Sequence, residues 1–258
     1  MNCIYLQGSL VESMLKKWHK NWFNSPYYHI LYNQQNDREA EYYIDNLCEL
    51  LKPNADARLL ETACGRGRNV VYLNKKGYDV TGIDHSYANV KYAKQFEKER
   101  MQFYLHDMRH LLYIKYFDFA FSLFTRFGYF DSYKENLTAL KSFNKSLKPD
   151  GVLVLDYFNT AKIINGQVNY EVKELEGINF HIAKKIENDK LVKTITFEHR
   201  EKSFAFREEV KAFSIADFER LFHESNFKIE KQFGDHSLGK YDENKSDRVI
   251  FICQKANA

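Results

Sequence analysis

Apolar and polar positions run along this chain in two different rhythms. From Leu10 to about Phe23, the residues Leu10, Met14, Trp18 and Trp22 recur every four positions, the spacing of one helical face. Asn24-Ser25-Pro26 interrupts it. A second helix is predicted from about Asp37 to Leu51, with Tyr42, Ile44, Leu47, Cys48 and Leu51 on one stripe and Lys52-Pro53-Asn54 as its stop. From Arg58 the pattern changes to short apolar runs separated by helical stretches. Strands are predicted at Arg58–Thr62, Tyr78–Ile83, Met101–Leu105, Phe117–Phe121 and Val152–Tyr157. Helices are predicted from Gly67 to Lys76, from a Ser86 cap to about Arg100, and from an Asp131 cap to near Leu147. Such alternation with short connections implies βαβ units and therefore a mostly parallel sheet with helices on both faces.

The alternation stops after residue 162. Val168–Leu175, Asn179–Ile186, Leu191–Glu198 and Phe204–Ala212 read as strands, with turns at Asn188-Asp189 and Glu201-Lys202. Lys193-Thr194-Ile195-Thr196-Phe197 alternates as a sheet with one dry face does. Ser214 then caps a helix to about Glu224, and Phe227–Phe233 and Val249–Gln254 would hairpin onto a sheet edge. The expected organisation is an N-terminal helical cap over 1–54, an α/β domain over 55–162 and 214–258, and an antiparallel β insertion over 163–213 serving as a lid or a homodimer surface.

Composition narrows the classes. Of 258 residues 44% are hydrophobic and 16% aromatic, enough for a sizeable core and unlike a disordered chain. Lys and Arg exceed Asp and Glu by only three, which gives no electrostatic case for a nucleic-acid partner; Lys184-Lys185 reads as solvated charge. No apolar run approaches the roughly 18 residues of a membrane span. Cys3, Cys48, Cys64 and Cys253 are scattered without metal-ligand spacing, and the first residues do not resemble a secretion signal. A reducing, cytoplasmic setting is expected, with no metal, and Met14 is an alternative start.

The chemistry concentrates in Leu59-Leu60-Glu61-Thr62-Ala63-Cys64-Gly65-Arg66-Gly67-Arg68-Asn69. A strand feeds a loop with glycines two apart that opens a helix, where free N–H groups and a bare backbone let a ligand approach closely. Asp84 follows at the end of the next strand, placed to take a ribose diol. A dinucleotide fingerprint would need a third glycine where Val70 stands. The acidic Glu61 at the strand's end would repel a pyrophosphate but suits a ligand carrying an ammonium or sulfonium charge. That favours S-adenosylmethionine over NAD.

The segment resembles motif I of the class I S-adenosylmethionine-dependent methyltransferases, (D/E)-x-G-x-G-x-G, with Glu61, Gly65 and Gly67 matching and Ala63 in place of the first glycine. The resemblance covers Leu51 to Asn159 and implies a Rossmann-like seven-stranded, mostly parallel sheet. It implies that Glu61 anchors the methionine amino end, that Ala63, Gly65 and Gly67 admit the cofactor, and that Asp84 holds the ribose with His85 beside the adenine. Asp107 would meet the adenine amino group and Met108 its ring, with Phe124 also on the cofactor side. Phe124-Thr125-Arg126-Phe127-Gly128-Tyr129-Phe130 is similar to the post-strand-four segment S-F-G-Y-F of a bacterial small-molecule branch, with Arg126 in place of Ser. Phe233-Gly234-Asp235-His236, followed by Tyr241-Asp242 and Ser246-Asp247-Arg248, is similar to that branch's last loop, and Lys148-Pro149-Asp150-Gly151 to the family's turn before strand five.

Absences narrow the acceptor. The chain has no Pro-Pro pair of the kind used to methylate base amino groups, no Cys nucleophile closing strand four or five, and no convincing carboxylate set for a metal around Asp131 and Asp156. The expected acceptor is a small molecule, lined by Tyr28, Tyr32, Arg126, Tyr129, Tyr157 and His236. Three alternatives stay open: a non-catalytic S-adenosylmethionine-binding module, an NAD(P)-dependent oxidoreductase, and an RNA methyltransferase.

Overall fold

In a computed structural model the chain is described over residues 22–33, 37–166 and 169–256. The helix expected over Leu10–Phe23 lies outside the described residues, except that Trp22 and Phe23 form a helical turn. The chain divides into two compact units, one spanning Asn36–Asn165 and Phe213–Ala258, the other Met1–Gln35 and Gly166–Ala212. The helix expected to belong to the N-terminal cap therefore groups with the larger sheet, and the short helix before it groups with the insertion.

The larger unit holds helices α2 (Asp37–Leu51), α3 (Arg68–Lys75), α4 (Tyr87–Ala93), α5 (Tyr133–Ser146), α6 (Thr160–Asn165) and α7 (Ile215–Glu224). Its strands are β1 (Arg58–Thr62), β2 (Asp79–Asp84), β3 (Met101–Leu105), β4 (Phe117–Ser122), β5 (Leu147–Phe158), β10 (Phe227–Phe233) and β11 (Arg248–Lys255). They form one sheet in the order β10-β11-β5-β4-β1-β2-β3. β1 to β5 run parallel, and the closing hairpin adds β11 antiparallel to β5 with β10 at the edge. The strand order reverses between β1 and β4, which leaves a crevice beyond their carboxyl ends; open α/β sheets place their ligands there. The core lies against this sheet: Leu59, Val80, Phe103, Phe121, Val154 and Ile250 pack with Tyr43, Ile44 and Leu47 of α2.

Three local expectations shift. Ser132, not Asp131, caps α5, in a reciprocal box with Glu135. The helix after Ser86 ends at Ala93 and tightens into a 3-10 turn over Lys94–Phe96, well short of Arg100. Glu97 leaves the helix there and its carboxylate accepts the main-chain N–H of Phe103, while Arg100, at φ 62°, reverses the chain into β3. β5 starts at Leu147 rather than Val152, because Leu147 already pairs with Phe117; Lys148–Gly151 then bulge out before the ladder resumes with Val152 opposite Phe119.

The smaller unit holds α1 (Pro26–Asn33) and the antiparallel strands β6 (Asn169–Leu175), β7 (Ile178–Glu187), β8 (Lys190–His199) and β9 (Lys202–Lys211), paired in sequence order. Glu176-Gly177, Asn188-Asp189 and Arg200-Glu201 join them, each pair left-handed, which matches the twist of two-residue hairpins. The last turn sits one residue earlier than expected. Ile178, Phe180, Ile182, Ile195 and Phe197 share the dry face with Trp22 and Leu31. Glu208 is buried on the same face, where Trp22 Nε1, Tyr32 Oη and Lys193 Nζ all meet its carboxylate.

Candidate active site

The loop from β1 to α3 is built on three left-handed residues, Ala63, Gly65 and Gly67. The two glycines serve different ends. A Cβ on Gly67 would fall 2.5 Å from the Phe103 ring, so that position is bare because the core packs against it. A Cβ on Gly65 would meet only Nη1 of Arg126 within 4 Å beyond its chain neighbours, at 4.0 Å. Gly65 therefore presents the open face of the loop.

Asp84 ties this loop to the next. One carboxylate oxygen accepts the N–H of Gly65 and the other the N–H of Ser86, both at 2.8 Å, and the side chain is buried. His85 beside it is largely exposed, with Nδ1 3.9 Å from Asp84 Oδ1. Glu61 sits beneath the loop. Asn69 Nδ2 donates to its Oε1 at 2.6 Å, whereas Oε2 is buried and has no hydrogen-bond partner among the described residues. Burial pushes the Glu61 carboxyl up to about 7, against the pull of Asn69, Arg126 and Arg68. A buried carboxylate oxygen left open is costly unless a cation completes it.

On the same half of the sheet, in the turn after β3, Asp107 is held by Arg109, whose Nε and Nη2 grip both carboxylate oxygens while its main-chain N–H bonds Oδ1. Hydrogen bonds from Arg109 lower the Asp107 pKa against a smaller effect of burial. Arg109 continues to Glu135 at 2.6 Å and lies over the Phe130 ring, so the loop after β3 is latched to the start of α5. Met108 is half-buried in the same turn.

The segment after β4 turns sharply, with Phe124 and Thr125 both at φ 57°. Asp156, wholly buried at the end of β5, accepts the Phe124 N–H at 2.7 Å through its carboxylate and the Thr125 N–H at 3.1 Å through its carbonyl. Arg248 pairs with the same carboxylate and donates to Thr125 Oγ1 at 2.8 Å. Burial pushes the Asp156 carboxyl up, but Arg248 and His236 outweigh it and its pKa is lowered. His236 Nδ1 lies 3.1 Å from Glu39 and Nε2 lies 3.5 Å from Asp156. The His236 ring stacks on Tyr43 at 4.3 Å, and Phe124 meets both rings edge-on.

The larger unit thus brings together Glu61, Ala63, Gly65, Asp84, Phe124, Arg126 and His236. Tyr157 is corrected: it is fully buried among Phe158, Phe213 and Phe218 and lines no acceptor space. Tyr129 is half-buried. Tyr28 and Tyr32 belong to the smaller unit, where both pack on Trp22 and Tyr32 Oη is committed to Glu208 and Lys193. Nothing in the sequence pattern assigns a role to Tyr43, Asn69, Arg109 or Arg248, and it raises Asp156 only as a metal ligand. A charged residue inside the apolar run Val152–Tyr157 was the available signal for Asp156.

A doubly wound sheet with a glycine loop, a buried acid beneath it and a second acid ending β2 defines a nucleotide-cofactor-binding α/β protein. Residues 32–232 match the profile of the methyltransferase domain family, and the chain belongs to that family. The Bacillus subtilis (strain 168) protein YqeM, named as a methyltransferase, is 31% identical over 109 residues, 41% of this chain and 44% of its own length. Glycine/sarcosine N-methyltransferase of Aphanothece halophytica is 26% identical over 172 residues, 62% of this chain and 58% of its own length. The chain spans about half the length of the curated relatives it matches. A crystal structure of an S-adenosylmethionine-dependent methyltransferase from Clostridium acetobutylicum superposes with a TM-score of 0.75 over 90% of this chain and 96% of that one, at 17% identity, a likeness of fold.

Proposed function

We propose that this protein transfers a methyl group from S-adenosylmethionine to a small molecule. The observation that carries the reading is the buried, unpartnered Oε2 of Glu61 under a loop whose Gly65 face is bare, at the point where the strand order reverses. An ammonium group is the chemistry that completes such an oxygen. When bound, the cofactor supplies a methyl group already activated on a sulfonium. The residues therefore have only to bind, orient and keep water out. Glu61, steadied by Asn69, would take the cationic amino end, and Asp84, which already fixes two loops through its carboxylate, would offer its remaining lone pairs to the ribose. Asp107 would reach the adenine only as part of its pair with Arg109, since that residue occupies both oxygens.

A small-molecule acceptor is favoured by the near-balanced charge and by a relative whose name places its methyl group on the nitrogen of glycine or sarcosine. Cys48, Cys64 and Cys253 are free thiols, which supports a reducing, cytoplasmic setting. Among the described residues no helix is long and apolar enough to cross a membrane. For self-association we place the homodimer contact on the smaller sheet, whose outer strand β6 exposes Tyr170 and Val172.

The acceptor class is tested by incubating the protein with methyl-tritiated S-adenosylmethionine and separate pools of small amines, small hydroxy compounds and total RNA. Label should appear in a small-molecule pool. Label confined to RNA would overturn the acceptor class, and label in none would favour a binding module.

A further inference from the structure

We propose that Arg126 reads the α-carboxylate of the cofactor, and that Asp156 and Arg248 are positioning residues that aim it there. The proposal rests on the cofactor reading above and assigns residues that reading does not. It moves Arg126, expected on the acceptor side, to the cofactor side.

The turn that carries Arg126 is strained. Phe124 and Thr125 are consecutive left-handed residues, neither is glycine, and Thr125 is β-branched, a combination that L-residues avoid. Such a conformation persists only where its surroundings over-determine it, and these do. The Asp156 carboxylate and carbonyl each take one N–H of the turn, at 2.7 and 3.1 Å. Arg248 closes the clamp, pairing with the Asp156 carboxylate and donating to the Thr125 hydroxyl at 2.8 Å. Asp156 is wholly buried, so neither the strain nor the charge is relieved by water.

What the clamp delivers is the next residue. Nη1 of Arg126 borders the open face of Gly65, 4.0 Å from where a Cβ would stand, and its charge reaches the buried Glu61 and Cys64 beneath the loop. An α-amino acid head carries an ammonium and a carboxylate on one carbon. Glu61 with an open oxygen below the loop and a guanidinium beside Gly65 make the complementary pair of charges. A guanidinium matches a carboxylate in charge and in the geometry of its paired N–H donors. An acceptor anion away from the glycine loop would need Arg126 turned from the place it holds beside Gly65.

The test uses calorimetry on the full-length protein with two probes, S-adenosylhomocysteine and 5′-methylthioadenosine, which lacks the amino-acid head. Arg126→Ala should weaken S-adenosylhomocysteine by roughly ten-fold or more, the scale of a lost charged hydrogen bond, and leave 5′-methylthioadenosine within about two-fold. Asp156→Asn should shrink the ratio between the two probes in the same direction. Should Asp156→Asn fail to fold, Thr125→Val removes the Arg248 hydrogen bond while keeping the side-chain shape, and should shrink the ratio to a smaller degree. A general loss of structure would weaken both probes alike. An unchanged ratio in Arg126→Ala overturns the assignment of Arg126. A ratio that collapses in Arg126→Ala but not in Asp156→Asn or Thr125→Val overturns the positioning role alone. A wild-type protein that binds neither probe overturns the cofactor reading itself, and this assignment with it.

Discussion

Asn69 donates its side-chain amide to one oxygen of Glu61 at 2.6 Å and leaves the other oxygen buried without a hydrogen-bond partner among the described residues. The glutamate is therefore half-satisfied in the protein alone. Burial raises its pKa from 4.5 to about 7. A carboxyl whose folded pKa is raised stabilises the fold fully below its unfolded pKa, and that contribution is lost as pH rises through the folded value. Wild type should thus lose on the order of 3 kcal/mol, relative to Glu61→Gln, between pH 4.5 and 7. Urea unfolding of both proteins across that range checks it; parallel pH curves would show that Glu61 is ionised throughout.

The same residue links pH to ligand binding. An ammonium group favours the ionised carboxylate, so S-adenosylhomocysteine should bind wild type more tightly at pH 8 than at pH 6. The dependence should flatten in Glu61→Gln. Calorimetry at the two pH values measures it, and an identical slope in both proteins would place the titrating group elsewhere.

Gly65 and Gly67 separate binding from folding. Gly67→Ala combines a left-handed alanine with a contact of 2.5 Å to Phe103, and should cost about 2–4 kcal/mol of stability. Gly65→Ala carries the left-handed penalty, about 1–2 kcal/mol, but projects its methyl group onto the open face toward Arg126. It should lose S-adenosylhomocysteine binding out of proportion to its stability. Paired denaturation and calorimetry decide this; equal binding losses in both variants would remove the distinction.

Much of the fold was legible because strand–helix alternation is a local signal. Arg58–Thr62, Met101–Leu105 and Phe227–Phe233 begin and end where the sequence pattern predicts. Glu61, Gly65 and Asp84 could be found for the same reason, since one strand–loop–helix unit and the strand after it hold all three. Asp156 and Arg248 could not. They lie 92 residues apart and meet only because β11 returns antiparallel beside β5. Nor does spacing reveal that Arg109 folds back on Asp107, or that Tyr43 reaches the turn after β4. The cap on α5 fell one residue from its expected place because Asp131 and Ser132 are both good cap residues, and only Ser132 stands three before Glu135.

Asp84 carries both structure and binding. Asp84→Ala removes hydrogen bonds from a charged group to the N–H groups of Gly65 and Ser86, and should destabilise the fold by about 1.5–3 kcal/mol while weakening S-adenosylhomocysteine by more than ~1 kcal/mol. Thermal unfolding with and without ligand tests both parts. Unchanged affinity would leave Asp84 as a loop tie only.

In the smaller unit, Glu208→Ala strips the shared partner from Trp22, Tyr32 and Lys193 and leaves a partly buried lysine unpaired. The expected loss is about 3–5 kcal/mol, with a changed tryptophan emission before global unfolding. An unaltered unfolding midpoint would show that the buried network contributes nothing net.

The central claim, that the glycine loop with Glu61 and Asp84 binds S-adenosylmethionine, is tested most directly by calorimetric titration of the purified protein with S-adenosylhomocysteine, alongside NAD and NADP. Saturable binding of S-adenosylhomocysteine, with none of the dinucleotides, is the expected result. Binding of NAD or NADP in its place, or no heat from any of the three, would contradict it.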